Sequence, residues 1–160
     1  MKFLVDAMLG RLAKWLRILG YDTAYAPTSR TDSLVKQAWG EKRAVLTRNH
    51  HLPRMKGVRI LVIESDHWRE QLGEVIRGFR LRTGGGRFRR CIVCNQRLLP
   101  LKKERAEGKV PDFVFSQSPS FLRCPECDRI YWQGSHLSGM EQIITQLCPR
   151  PTHRSKEEGP

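Results

Sequence analysis

KFLVDAMLGRLAKWLRILGYDTAYAP, residues 2–27, holds the alternation on which the fold turns. KFLV is a short apolar run that stops at Asp6. Leu9, Leu12, Ala13, Leu16 and Leu19 then recur at helical spacing, with Arg11, Lys14 and Arg17 between them. Gly20 is placed to end that helix, and residues 23–26 form a weak second strand stopped by Pro27. A strand, a helix and a second strand in this order predict a parallel pair joined by a crossover.

The pattern continues downstream. Thr31 or Asp32 is positioned to cap a helix running to about Lys42, residues 44–47 and 58–63 read as two more strands, and residues 67–79 as an amphipathic helix. The expectation is an α/β domain: a parallel sheet with crossover helices over residues 1–83. Loops leaving the carboxyl ends of parallel strands gather at one edge and form a crevice there. Asp6 and Asn49 lie just beyond the first and third strands, and Asp32 opens the helix before the third. Carboxylates collected at such a mouth can hold Mg²⁺ or Mn²⁺, which activates water for attack on a phosphodiester. Each also has a plainer role open to it, since Asp6 and Asp32 are both natural helix caps.

The run TGGGR at 83–87 has no apolar side chain and reads as a flexible joint. Beyond it, residues 84–148 contain Cys91-Ile-Val-Cys94 and Cys124-Pro-Glu-Cys127. A C-x-x-C turn puts two sulfurs on one side of a metal, and two such turns complete a tetrahedral Zn²⁺ site. Asn95 and Asp128, both tolerant of tight turns, follow the knuckles. The pieces VPDFVF, SFLRC and RIYW look strand-like, giving a zinc ribbon in which the metal is structural. A redox dithiol or an iron–sulfur centre is the alternative for these cysteines. A helix at 140–147 is expected to dock back, and residues 149–160 to be disordered. Cys148 is left over as an ordinary thiol.

The 160 residues carry a formal charge of +13. The excess is +8 over residues 1–83, +4 over 84–148 and +1 over 149–160, so it belongs mainly to the two folded parts. A diffuse basic surface favours a polyanion, because each neutralised phosphate releases condensed counterions. No stretch of 18 uncharged apolar residues occurs, and Asp6, Arg11, Lys14 and Arg17 interrupt the N-terminal apolar run. Neither a transmembrane helix nor a signal peptide is expected, and the cytoplasm is the expected compartment.

LVDAMLGRLAKWLRILGYDT (4–23), AVLTRN (44–49), RCIVCN (90–95) and CPECDRIYWQGSH (124–136) closely resemble the Mut-seven C-terminal RNase family, a PIN-like nuclease domain followed by a zinc ribbon. The resemblance runs over residues 3 to about 140. It implies cleavage of single-stranded RNA by metal-held water, with Asp6 as the first acidic ligand and Asp32 as the acid of the next loop or helix. The third position, usually aspartate in a T-R-D sequence, is Asn49 here. That exchange removes one negative charge from a cation site. Glu41, Glu64 and Asp66 are possible extra ligands, and His50 and His51 are either ligand or base, or plain loop residues. Arg11, Lys14, Arg17 and Arg48 are the candidates for gripping the RNA backbone. Trp15 and Trp39 are expected in the core, and Trp132 and His136 to pack in the ribbon, with stacking on RNA bases as the alternative role of the latter pair. The competing class is a non-catalytic RNA-binding module of a ribonucleoprotein. A DNA-binding ribbon is a third, though no segment resembles a recognition helix.

Overall fold

The computed structural model describes residues 1–27, 30–52 and 54–147, the side chains of 135 and 136 excepted. Strands β1 (Lys2–Val5), β2 (Asp22–Tyr25), β3 (Ala44–Thr47) and β4 (Ile60–Val62) form a sheet in the order β2-β1-β3-β4. All three pairings are parallel. Helices α1 (Gly10–Ile18), α2 (Thr31–Glu41) and α3 (Trp68–Phe79) cover it.

Burial on both faces explains the unbroken apolar runs at 3–5 of β1 and 44–46 of β3. Phe3, Val5, Ala44 and Leu46 join one buried cluster with α1 and α3, whereas Leu4 and Val45 face Leu34, Val35 and Ala38 of α2. Helix α1 ends as expected at Gly20, whose φ is +93°. Its N–H bonds the Arg17 carbonyl and the Tyr21 N–H reaches back to Leu16, both at 2.9 Å, closing a Schellman turn.

The second sheet is antiparallel, β5 (Leu99–Leu101), β6 (Phe121–Arg123) and β7 (Ile130–Trp132) in that order. Its small core is Ala106, Val110, Val114 and Phe121. The strand expected in VPDFVF is instead helix α4 (Asp112–Gln117). Pro111 stands at its N-cap and Asp112 in its first turn, and Val114 packs into that small core, so the helix forms despite the local β preference of Val and Phe.

Helix α5 (Ser135–Leu147) starts earlier than expected and docks against α1 and α3, with Ile144 only 1 % exposed in their core. Nor does the glycine run hang free. A Cβ on Gly20 would come within 2.1 Å of the Gly86 carbonyl oxygen, and the Phe88 N–H bonds the Ile18 carbonyl at 2.8 Å. Trp39 also departs from expectation. At 64 % exposed it lies outside the core, because Leu34, Val35 and Ala38 fill the sheet-facing stripe of α2. Trp15 is buried and stacks on Trp68, their ring centroids 4.7 Å apart. Cys148, the tail at 149–160 and the side chain of His136 lie outside the described residues.

Candidate active site and metal centre

Chain order places β2 on one side of β1 and β3 on the other, so the direction of winding switches between β1 and β3. Open parallel sheets bind their ligands beyond the carboxyl ends of the strands at such a switch. Asp6 follows β1 at that position and is 4 % exposed. One carboxylate oxygen accepts the Met8 N–H at 3.1 Å. The other accepts the Arg48 N–H at 3.2 Å and the hydroxyl of buried Thr47. Asp6 therefore caps the turn at Ala7–Leu9 and also ties β1 to the end of β3. A carboxylate offers about four acceptor sites, which leaves roughly one outward.

Asn49 belongs to the same rim. Its N–H bonds Thr47 Oγ1 and its side-chain oxygen accepts the His51 N–H, both at 2.9 Å, so the side chain shapes its own loop. Asp32 is exposed in the first turn of α2, with no side-chain partner among the described residues. Glu64 and Asp66 follow β4 at this edge but have partners of their own: His50 Nε2 lies 3.5 Å from Glu64, and Arg48 pairs with Asp66. Glu41 precedes β3, at the opposite edge, where it holds Gln37 and Arg43.

Of the four basic residues expected to grip RNA, Arg11 and Lys14 are exposed on α1, and Arg11 lies 4.5 Å over the Trp68 ring. Arg48 flanks Asp6. Arg17 corrects the reading. It is 7 % exposed, and its guanidinium donates to the carbonyls of Thr23 (2.9 Å), Ile92 (2.9 Å) and Val93 (2.7 Å). It faces the first cysteine knuckle, away from any phosphate in solvent.

The sulfurs of Cys91, Cys94, Cys124 and Cys127 all lie within 4.8 Å of one another, with nearest separations of 3.3–3.6 Å. Disulfide sulfurs would sit near 2.05 Å. Four thiolates at about 2.3 Å around a tetrahedral zinc would be about 3.8 Å apart, so the cluster fits that ion with little adjustment. Both knuckles close alike. Asn95 and Asp128 adopt left-handed φ of 68° and 57° and return their N–H groups to Cys91 and Cys124. Burial works to raise the pKa of Cys91, but hydrogen bonds from the Cys94 and Val93 N–H groups and the Tyr131 hydroxyl bring it down to about 6. Burial and the neighbouring sulfurs push Cys94 up instead. With four protein ligands no position is left for a reacting water. Among the described residues this is the one group of three or more His, Cys, Asp or Glu side chains close enough to share an ion.

Sequence patterns gave no sign of a second network beside the cluster. Asp22, on edge strand β2, accepts from Arg43 (2.6 Å) and from the Asn95 amide (2.8 Å), and Arg90 lies 3.7 Å away. The Asn95 oxygen in turn accepts the Thr23 N–H at 2.9 Å. Polar pairs far apart in sequence carry no periodicity to read.

No helix among the described residues is long and apolar enough to cross a membrane. Comparison with curated proteins and with solved structures gave no match. The family model described as the Mut7-C RNAse domain matches residues 1–144, a span that takes in both sheets and the four cysteines. The chain belongs to the Mut7-C RNAse domain family.

Proposed function

We propose that the protein is a PIN-like endoribonuclease of the cytoplasm that cuts single-stranded RNA with Mg²⁺ or Mn²⁺ gathered by Asp6 and Asp32. One observation carries this reading: a buried aspartate stands at the switch point of a parallel sheet, in a chain of a ribonuclease family. Asp6 offers its one remaining acceptor position, Asp32 an unpartnered carboxylate, and Asn49 a second lone pair on its amide oxygen. A divalent ion bound there supplies an activated water and offsets charge on the phosphate. Arg48, Arg11 and Lys14 hold neighbouring phosphates. The zinc is structural.

Asp32→Asn is the cleanest test, because that side chain supports nothing else among the described residues. With Mn²⁺ and a single-stranded RNA, the substitution is expected to cut the cleavage rate at least tenfold with an unchanged melting temperature. Cleavage at the original rate sinks the mechanism. Asp6→Asn should abolish cleavage too, but it also disturbs the acceptors of Met8, Thr47 and Arg48 and so lowers stability.

A second reading, an RNA-binding module without catalysis, is favoured by Asn49 and by the absence of a three-acid cluster among the described residues. Asn49→Asp separates the two: an inert protein that gains cleavage is a binder on a nuclease scaffold. Competition between RNA and duplex DNA tests the choice of nucleic acid.

A further inference from the structure

The zinc ribbon carries a concave surface that the proposed chemistry does not use. Between edge strand β5 and the second knuckle lies a groove of about 440 Å³. Leu99, Pro100 and Pro125 give it an apolar floor, and Lys102, Arg105 and Arg123 surround them. All six are exposed.

Basic surface is common on a chain of charge +13, so the cations have to be sorted by what they already hold. Arg43, Arg48 and Arg90 face carboxylates, and Arg17 holds backbone carbonyls. Within the groove, Arg123 is paired with Asp128 at 2.8 Å. Lys102 and Arg105 have no carboxylate within 4 Å among the described residues. They line the concavity without an ion-pair partner, which leaves them open to an anion.

The floor narrows the choice of anion. Pro100 occupies the middle of the three-residue edge strand and has no N–H to offer, so the edge resists addition of a peptide strand. Exposed apolar side chains beside free cations suit a flexible phosphodiester: phosphates take the charges, and a sugar or base lies on the apolar surface. A groove of this volume holds a unit of small-molecule size and has no room for a duplex.

We propose that this groove binds the backbone of single-stranded RNA away from the cleavage point, with Lys102 and Arg105 on phosphates and Leu99, Pro100 and Pro125 beneath a sugar or base. It rests on the RNA-directed reading of the family but not on any catalytic role for Asp6.

The test uses the zinc-loaded full chain without added Mg²⁺ or Mn²⁺ and a fluorescently labelled 20-nucleotide oligouridine. Anisotropy titrations over a range of salt are compared for the wild type, for Lys102→Glu with Arg105→Glu, and for Lys36→Glu with Lys56→Glu. Of the last pair, Lys36 is on α2 and Lys56 in the connection between β3 and β4, and the change of charge is the same. The groove variant should bind at least tenfold more weakly. Its slope of log K against log salt should shrink by about 1.4, since each single-strand phosphate contact contributes about 0.7. Zinc content and melting temperature should not change. Equal losses in the two variants would assign the effect to net charge and overturn the proposal, as would an unchanged slope or duplex RNA binding as tightly as the single strand. A protein that binds this way yet never cuts with Mn²⁺ keeps the groove and loses the nuclease.

Discussion

The two cysteine knuckles share a backbone and differ in what they hold together. Each has the C-x-x-C turn, a left-handed residue after it and the same return hydrogen bond. The first, however, is bonded to the parallel-sheet half of the molecule through Arg17, Asn95 and Arg90, in contacts with Ile92, Val93, Thr23, Asp22 and Gly20. In the second, Asp128 stays within the ribbon and pairs with Arg123. Local geometry thus brings a pair of thiols together, and the polar side chains around the turn decide whether that pair also serves as a clamp. Asn95 can clamp because an amide donates and accepts at once; the carboxylate of Asp128 only accepts.

Removing the metal should break the contrast most severely. Structural zinc supplies most of the folding energy of a small module, and without it the Arg17 guanidinium loses its acceptors on Ile92 and Val93. Calorimetry with a strong chelator should show the main transition falling by roughly 10 °C or more. An α/β transition that stays in place while the ribbon alone unfolds would show the first knuckle to be no clamp. Next in size, Arg17→Met keeps the alkyl chain but strips three carbonyls of a charged donor, for a loss of about 3 kcal/mol in urea unfolding.

A reciprocal exchange sharpens the comparison further. Asn95→Asp removes the donor to Asp22 and sets two carboxylates together, for about 2 kcal/mol, whereas Asp128→Asn loses only an exposed pair, for less than about 1 kcal/mol. Equal costs would mean that the knuckles are equivalent after all. The smallest effect is on acid stability. Burial works to raise the Asp22 pKa, but hydrogen bonds from Arg43 and Asn95 and the charges of Arg43 and Arg90 outweigh it, and the folded value lies below 3.8. A lowered carboxyl stabilises the fold fully above its unfolded value, and that contribution is lost as pH falls through the folded value. The stability gap between wild type and Asp22→Asn should therefore narrow below about pH 4, as measured by denaturant titration at stepped pH.

What could be read in advance followed from periodicity and local chemistry. The strands at 2–5 and 44–47 and the helix after Asp6 announced themselves, because a sheet buried on both faces shows consecutive apolar residues. The cluster of four cysteines was equally plain, since C-x-x-C is a local pattern. The reading failed where a long-range partner decided the outcome. Arg17 has the spacing of a solvent-facing cation, and only the knuckle 75 residues away turns it inward. The helix at Asp112–Gln117 was hidden because Val and Phe favour strands locally, while its packing with Ala106, Val110 and Phe121 is a tertiary contact. At the candidate active site, Asp6 was legible from its place after β1. Its tie to Thr47 was not, since nothing in a sequence tells which strands will be neighbours.

Ile144 lies in the core that α1 and α3 build, yet it is made after the entire ribbon. At the ordinary pace of translation, about 5–20 residues per second, several seconds separate the synthesis of Phe79 from that of Ile144. During that interval the newborn N-terminal half has an unfinished apolar surface and waits for its last helix. Completion of this domain is therefore an event in the timetable of the whole chain, and a ribosome that stalls in the ribbon would leave behind a fragment prone to aggregate.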